Sequence, residues 1–172
     1  MKFVPFVLNK AGLETPVSIK PMTKKDAAET NRDPVWQTSW TSAYLSNPDY
    51  LKYSAKVDGK LIALAAYEIR ESSLVVRIVY IEAQPGSNPT MDHGKPEYTG
   101  IGRLLIAYGI KLSIDHGFGG DVVLEAKTTT LENHYVRDFG AIRLPTLPGR
   151  APRLLIADES AKQIFFTYLK EE

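Results

Sequence analysis

The sequence predicts an α/β fold built on a mixed β-sheet. Its 172 residues suit one domain with one buried core. Three successive segments with strand composition are joined by short turns, which predicts an antiparallel meander. The pattern then changes to helix, strand, helix, strand, and a meander followed by this alternation is typical of a mixed sheet with helices packed on it.

Composition and charge fit an ordinary globular protein. Apolar residues make up 44% and charged residues 24%, and the net charge is +1. Nothing here favours a nucleic acid, a membrane surface or a strongly acidic partner. The absence of cysteine excludes disulfides, thiolate metal sites and a cysteine nucleophile. No segment approaches the roughly 20 apolar residues of a membrane span, so we expect a cytoplasmic protein without a metal site.

The beginning of the chain predicts an extension, a short strand and a capped helix. Residues 1–16 precede the first regular element, and residues 17–19 have the composition of a strand. Thr23 stands at the N-cap position of a polar segment, and Asp26 lies in the first turn, where the helix dipole favours an anion. We therefore predict a helix over residues 24–31.

The next segment predicts a second helix with an aromatic face. Pro34 suits the first turn of a helix, and an Asn-Pro pair thirteen residues later predicts its end, which gives a helix over 35–46. Trp36, Trp40 and Tyr44 recur every four residues and would share one face. That face either packs into the core or lines a substrate pocket.

Three strands follow as the meander. Residues 53–57 end at an Asp-Gly pair, which is a hairpin signal, and residues 61–70 run back. The strand over 74–83 is rich in β-branched residues and is therefore predicted at the centre of the sheet. Three prolines and two glycines predict a loop over 85–98.

The second half alternates helices and strands. In chain order we predict a helix over 103–116 after a Gly-x-Gly turn, a strand over 122–126, a helix capped by Thr130 that ends at Phe139, strands over 141–144 and 153–157, and a helix capped by Asp158 over 158–172. The whole chain, 1–172, is expected to form one domain. The apolar face of the last helix packs either on the core or against a second copy in a homodimer.

The most informative segment is the glycine turn at the start of the long helix. Gly100 and Gly102 let the backbone come close to a ligand, and the first N–H groups of a helix are free to hold phosphate. A tight turn without a ligand has the same pattern. No Gly-Lys-Ser/Thr follows, so the segment is not a Walker loop. Leu105 stands where a dinucleotide fingerprint has its third glycine.

Neighbouring motifs resemble those of the GCN5-related N-acetyltransferase (GNAT) superfamily over residues 17–157. The strand end Ile81-x-Ala83-x-Pro85 is similar to the family's Leu-x-Val-x-Pro. Glu97-x-x-Gly100-x-Gly102 is similar to its pyrophosphate loop, Gln/Arg-x-x-Gly-x-Gly/Ala, except at the first position. Downstream, Leu124-Glu125-Ala126-Lys127 precedes Tyr135 and Gly140.

The resemblance implies a GNAT-like fold in which strands 4 and 5 splay apart and hold acetyl-CoA, with residues 158–172 as an extra C-terminal helix. It implies that the backbone at Ile81, Glu82 and Ala83 pairs with the pantetheine arm. It implies that the pyrophosphate is held by the backbone N–H groups of Tyr98, Thr99, Gly100, Ile101, Gly102 and Arg103. Glu97 is expected to point away, with Lys95 or Arg103 supplying positive charge, and Asn133 is expected to replace the family's helix asparagine.

The resemblance also implies candidate acid and base groups. Glu125 matches the base position of the ribosomal-protein acetyltransferase branch, and Glu82 lies beside the expected thioester site; a water-mediated base or an ordinary polar role remains open for both. Tyr135 is the expected general acid, although the family's tyrosine would fall at Val136. His93, in the long loop, either contacts substrate or is a solvated loop residue.

The resulting expectation is an acetyl-CoA-dependent N-acetyltransferase that moves the acetyl group to a primary amine by direct attack. The acceptor is left open among small amines, amino acids, peptide N-termini and aminoacyl-tRNA. One alternative is a non-catalytic acyl-CoA-binding or regulatory module on the same fold. Another is an interaction protein whose Gly-x-Gly is a plain turn.

Overall fold

A seven-stranded mixed sheet forms the centre of the structure, a computed structural model that describes residues 1–91 and 94–171. The strands are β1 (Lys2–Phe3), β2 (Phe6–Leu8), β3 (Glu14–Pro16), β4 (Ser18–Pro21), β5 (Tyr50–Val57), β6 (Lys60–Arg70), β7 (Val75–Ala83), β8 (Val122–Glu125), β9 (Ile142–Arg143), β10 (Arg153–Ile156) and β11 (Leu169–Lys170). The helices are α1 (Lys24–Glu29), α2 (Ile101–Asp115), α3 (Thr129–Phe139) and α4 (Asp158–Phe166).

The strand order confirms the predicted mixed sheet. It runs β4-β5-β6-β7-β8-β10-β9. The meander β5-β6-β7 is antiparallel, whereas β7 and β8 are parallel neighbours. The chain segment that connects β7 to β8 contains α2. β7 is therefore central, as its β-branched composition predicts. The N-terminal extension contributes strands of its own, because β2 pairs with β3 and β1 pairs with β11.

The two faces of the sheet are covered by different parts of the chain. The larger core lies on the face that carries α2, α3 and α4, and its centre is formed by side chains such as Leu104, Ile106 and Ile110. The smaller core on the other face contains Trp36 and Trp40, which come from the segment after α1. The sheet thus separates a helical side from a side covered by α1 and an irregular segment.

The predicted helix over 35–46 is wrong. This segment is irregular and contains only a 3₁₀ turn, Ala43–Leu45. The aromatic residues do not form one face, because Trp40 is 2% exposed and Tyr44 is 54% exposed. Four-residue spacing of aromatic residues here reflects separate packing sites along an extended path.

Side-chain acceptors explain why the helix does not form. The backbone N–H groups of Gln37 and Thr38 donate to the carboxylate of Glu82, at 2.8 and 3.3 Å. The N–H of Trp40 donates to Thr30 Oγ1 at 3.0 Å. Backbone donors that are satisfied by tertiary partners do not need a helical ladder. A sequence-based helix prediction has no access to an acceptor that lies more than forty residues away.

The ends of two other helices also differ from the predictions. Thr128, not Thr130, caps α3, because its side chain accepts from Leu131 N at 3.1 Å. The last helix begins at Asp158 but ends at Phe166, and the chain then forms β11. The pairing of β11 with β1 competes successfully with continuation of the helix. In α4, Ala161 and Ile164 are buried in the larger core, so its apolar face packs on the core.

Close packing of α2 on the sheet requires a glycine at position 109. A Cβ there would lie 3.1 Å from Tyr67 Cε1 and 3.4 Å from Ile78 Cγ1. The Tyr67 hydroxyl also donates to the Leu105 carbonyl at 2.6 Å, which ties the helix to β6. The helix therefore approaches the sheet closely along this line.

We expect Gly109→Val to lower the free energy of unfolding by about 1–3 kcal/mol, because the added side chain overpacks a buried contact. Urea denaturation followed by circular dichroism measures the change. Gly102→Ala in the same helix is the matched control, since a Cβ at position 102 meets nothing within 4 Å. Equal unfolding midpoints for the two variants would contradict this account of the packing.

Candidate active site

The parallel pair β7–β8 separates after three residues. Its register is Val76 with Val122, Arg77 with Val123, and Ile78 with Leu124. β7 continues for five residues beyond Ile78, whereas β8 ends at Glu125 and the following N–H, of Ala126, donates to the Pro152 carbonyl at 3.0 Å. The second half of β7 thus lies beside a gap. The strands β7 and β8 correspond to the predicted strands over 74–83 and 122–126, the fourth and fifth in the prediction, so the gap confirms their predicted splay.

A β-bulge marks the point of separation. Tyr80 pairs with Ala66 and Ile78 pairs with Tyr67, so Val79 has no opposite residue on β6. A bulge bends its strand and increases the local twist, and bulges are common beside functional sites. The bulge therefore accounts for the way in which β7 turns away from β8.

Beyond the bulge, alternate residues of β7 direct their backbone groups into the gap. The Gln84 N–H donates to the Ile62 carbonyl at 2.8 Å, so this pair is hydrogen-bonded. Glu82 lies two residues before Gln84 and opposite Leu64. Antiparallel pairing alternates along a strand, so the backbone of Glu82 faces β6. The backbone groups of Ile81 and Ala83 face the gap. The backbone contact predicted for Glu82 is therefore directed at β6 in this structure, and the side chain is the part of Glu82 that differs from its neighbours.

The start of α2 presents unpaired N–H groups. Gly100 caps the helix in the left-handed conformation, with φ 83°. The N–H of Leu104 is the first to bond within the helix, to the Gly100 carbonyl at 3.0 Å. The N–H groups of Ile101, Gly102 and Arg103 precede it and have no intrahelical acceptor. Because Gly102 is exposed and has no side chain, a phosphate can approach these groups directly.

The structure narrows the range of amides expected to bind a pyrophosphate. The Tyr98 N–H donates to Ser87 Oγ at 3.0 Å, and the Thr99 N–H donates to the Leu8 carbonyl at 2.9 Å. Both amides are therefore engaged within the protein. Their role is to fix the loop that leads into α2, and the N-terminal extension takes part through Leu8.

The charged side chains near this loop, those of Glu97, Lys95 and Arg103, each contact other parts of the protein. The Glu97 carboxylate accepts from Gln84 Nε2 at 3.0 Å and lies 3.7 Å from Lys60 Nζ, so it is held by partners of its own. Lys95 Nζ donates to the Lys10 carbonyl at 3.0 Å. The Arg103 guanidinium lies 5.8 Å from the centre of the Phe139 ring, and its Nη2 donates to Thr167 Oγ1 at 3.4 Å. Both expected cations are thus in contact with other parts of the protein.

Glu82 is a buried carboxylate surrounded by donors. It is 4% exposed and accepts from Trp40 Nε1 at 3.0 Å as well as from the N–H groups of Gln37 and Thr38. Burial raises the pKa of Glu82 above its ordinary value of 4.5, although these hydrogen bonds and the nearby Lys127 favour the charged form. A carboxylate with a raised pKa beside an open strand edge is a candidate proton acceptor.

Two neighbours of Glu82 were not predicted from the sequence. Tyr80 lies on the same face of β7, its hydroxyl is 2.7 Å from Thr38 Oγ1, and its ring stacks on Trp40 at 5.6 Å. Lys127 Nζ lies 4.1 Å from the centre of the Tyr80 ring. The signal that sequence reasoning missed is the two-residue spacing of Tyr80 and Glu82, which places both on one face of a strand.

Glu125, the second candidate base, is in a different environment. It is exposed and lines a cleft of about 200 Å³ together with four arginines from other parts of the chain. The burial expected of a base for an ammonium group is found at Glu82 and is absent at Glu125. The structure therefore favours Glu82 of the two carboxylates.

Tyr135 and Asn133 lie on opposite sides of α3. The Tyr135 ring packs against the larger core near Phe139, and burial raises its pKa above 10.0. Its hydroxyl makes no hydrogen bond with any residue of 1–91 or 94–171. Asn133 is exposed and its Oδ1 accepts from Arg143 Nη2 at 3.1 Å, so its position does not support the predicted contact with a cofactor.

Further expectations concern His93, metal ions and membranes. His93 lies outside the described residues. Within 1–91 and 94–171 there is no group of three or more His, Asp or Glu side chains arranged to hold a metal ion. None of the helices in this part of the chain is long and apolar enough to cross a membrane.

Solved acetyltransferases share this fold. The ribosomal-protein-S18-alanine N-acetyltransferase of Escherichia coli superposes with a TM-score of 0.53 at 18% identity, over 83% of this chain and 95% of that one. The PaiA N-acetyltransferase of Thermoplasma acidophilum, solved with coenzyme A, gives 0.57 at 15% identity over 84% and 100%. Aminoglycoside acetyltransferase AAC(6')-Ib, solved with coenzyme A and kanamycin, gives 0.57 at 14% identity over 86% and 98%.

These superpositions confirm the GNAT fold predicted from the strand-end and glycine motifs. No protein-family model and no curated protein sequence matches the chain. The likeness to these acetyltransferases therefore lies in the fold.

Proposed function

We propose that this protein is an acetyl-CoA-dependent N-acetyltransferase that acts on a primary amine. The observation that carries the proposal is the gap between β7 and β8 beside the unpaired N–H groups of α2. A strand edge and a helix start are suited to two chemically different parts of one ligand, an amide-containing arm and a pyrophosphate. Similar folds solved with coenzyme A support this choice of ligand.

The donor would be held by backbone groups at both ends. The N–H groups of Ile101, Gly102 and Arg103 would bind the pyrophosphate, and the backbone of Ile81 and Ala83 would pair with the pantetheine arm like an added strand. The donor supplies an activated thioester carbonyl. The chain supplies orientation, which for a ternary complex is a large part of catalysis.

Acid and base groups lie on opposite faces of the opened sheet. Glu82 faces the side covered by Trp40, and Tyr135 packs on the side of α2. A thioester in the gap would be reached from both sides. As the amine nitrogen bonds to the carbonyl carbon and the carbon–sulfur bond breaks, Glu82 would take the amine proton, directly or through a water. Tyr135 would protonate the departing thiolate.

A passive acyl-CoA-binding role is the second candidate. The carboxylate of Glu82 already accepts three hydrogen bonds, and Tyr135 stands one position before the family's usual tyrosine. Both features are compatible with a fold that binds the cofactor without turnover. Binding and catalysis therefore need separate measurements.

We expect calorimetry to detect acetyl-CoA binding and a thiol-release assay to detect turnover with members of an amine panel. The panel contains polyamines, aminoglycosides, amino acids and peptides with free N-termini. Tyr135→Phe should keep acetyl-CoA affinity and lower kcat by at least about tenfold, since a general acid contributes roughly 10²–10⁴-fold. Binding without turnover on every amine would favour the passive role. No binding at millimolar acetyl-CoA would remove both.

A further inference from the structure

We propose that the amine acceptor carries an anionic group, a carboxylate or a phosphate, which binds in the arginine-lined cleft beside the active site. The inference rests on the proposed acetyltransferase function and names the class of its acceptor. The cleft has a volume of about 200 Å³. It is lined by Arg70, Arg77, Val123, Leu124, Glu125, Arg150 and Arg153.

Sheet register brings the arginines together from distant parts of the chain. Arg77 of β7 lies beside Val123 of β8, and Arg153 of β10 lies opposite Glu125 of β8. Arg70 comes from the end of β6, and Arg150 comes from the loop before β10. Four arginines from separate elements line one cleft in a chain whose net charge is only +1. Such convergence creates a strong local positive potential.

The acidic residues nearby neutralise only part of this charge. Glu68 Oε1 lies 2.7 Å from Arg70 Nε and 3.7 Å from Arg77 Nη1. Arg150 and Arg153 form no side-chain ion pair with the residues of 1–91 and 94–171. With Glu125 as the second carboxylate, the cluster keeps a charge of about +2 (four guanidinium groups and two carboxylates). Two unpaired guanidinium groups are suited to bidentate binding of a carboxylate or a phosphate.

The cleft lies on the acceptor face of the sheet. Arg77 pairs with Glu68, and Tyr80 and Glu82 pair with Ala66 and Leu64. After the shift at the bulge, all of these side chains are on the face opposite to α2, where Glu82 meets Trp40. Because of the bulge, Arg77 and Ile81 lie opposite Glu68 and Ala65, three steps apart on β6, which corresponds to roughly 10 Å along a strand. An acceptor whose amine enters the gap would place an anionic group roughly that far away in the arginine cleft.

The test compares anionic amines with neutral partners of the same length. Triglycine spans roughly 10 Å between its amine and its carboxylate when extended, and triglycinamide is its neutral partner. 6-Aminohexyl phosphate and 6-aminohexanol form the phosphate pair. Their dissociation constants are measured by calorimetry on the full chain in the presence of coenzyme A, for wild type, Arg150→Gln/Arg153→Gln and the control Arg137→Gln, which changes an exposed arginine of α3.

We expect at least one anionic member to bind at least about tenfold more tightly than its neutral partner, because it gains charge-assisted hydrogen bonds. The double variant should reduce this preference to about threefold or less, and Arg137→Gln should retain it. A preference in the carboxylate pair alone identifies a carboxylate acceptor, and a preference in the phosphate pair alone identifies a phosphate acceptor.

The proposal is overturned if neither anionic member is preferred, or if the preference survives in the double variant. Acetyl-CoA affinity and thiol release are measured on the same samples. If the wild type does not bind acetyl-CoA, the acetyltransferase function is refuted. If it binds acetyl-CoA but shows no preference for anionic amines, only the assignment of the acceptor is refuted.

Discussion

Gly102→Glu is expected to leave the fold intact and to weaken acetyl-CoA binding by at least about 100-fold. Position 102 is exposed, and a Cβ there meets nothing within 4 Å, so the folded protein accommodates a side chain. A glutamate at the second residue of α2 would place its carboxylate over the N–H groups that we assign to the pyrophosphate. It would occupy the positive end of the helix and repel the ligand's negative charge. Calorimetry with acetyl-CoA measures the loss.

Two controls separate this effect from general damage. Gly102→Ala adds only a methyl group and should keep most of the affinity. Ser73→Glu adds one negative charge at the exposed turn between β6 and β7 and should bind like the wild type. Wild-type affinity in Gly102→Glu would show that the α2 start does not contact the ligand, even if acetyl-CoA binds elsewhere.

Local signals in the sequence were sufficient to predict several turns and helix ends. The Asp-Gly turn after β5 has φ values of 49° and 78°, as a two-residue hairpin requires. Thr23 caps α1 and exchanges hydrogen bonds with Asp26 in a capping box. Gly100 and Gly140 adopt the left-handed conformation at helix ends. Each of these features depends on residues within a few positions, which is why the sequence alone predicts it.

Long-range contacts account for the failures. The segment 35–46 is irregular because Glu82 accepts its backbone donors, and β11 forms because β1 offers it a partner. The same limit applies to the site. Sequence motifs indicated the gap and the helix start, yet they did not show that the Tyr98 amide is engaged. They also gave no reason to choose Glu82 over Glu125, since burial is a property of the folded chain.

The burial of Glu82 links the acceptor side to the chemistry. One carboxylate orders the segment that contains Gln37, Thr38 and Trp40, and its raised pKa suits a proton acceptor. The two roles make different predictions. If Glu82 only positions the segment, any loss of a hydrogen bond in this cluster lowers activity in a similar way. If Glu82 takes the proton, activity depends on its ionisation.

Glu82→Gln is therefore expected to lower kcat by at least about 100-fold while acetyl-CoA affinity stays within about threefold of wild type. In the wild type, kcat should fall as the pH decreases through the pKa of Glu82, which lies above 4.5, because the protonated carboxyl cannot accept a proton. This limb of the pH profile should be absent in Glu82→Gln. Thiol release measured across the pH range, with folding followed by circular dichroism, reports both changes.

Trp40→Phe distinguishes a base from a positioning residue. It removes the indole donor to Glu82 but keeps the carboxylate, so it should lower kcat less than Glu82→Gln and retain the pH limb.

The pH dependence of stability gives a second check. Because folding raises the pKa of Glu82, its protonated form stabilises the folded state below pH 4.5, and this contribution is lost as the pH rises through the folded pKa. Glu82→Gln should lack that decrease. Equal kcat losses and unchanged pH limbs in both variants would show that Glu82 acts only through the segment it orders, and the proton acceptor would then have to be sought at Glu125 or in a bound water.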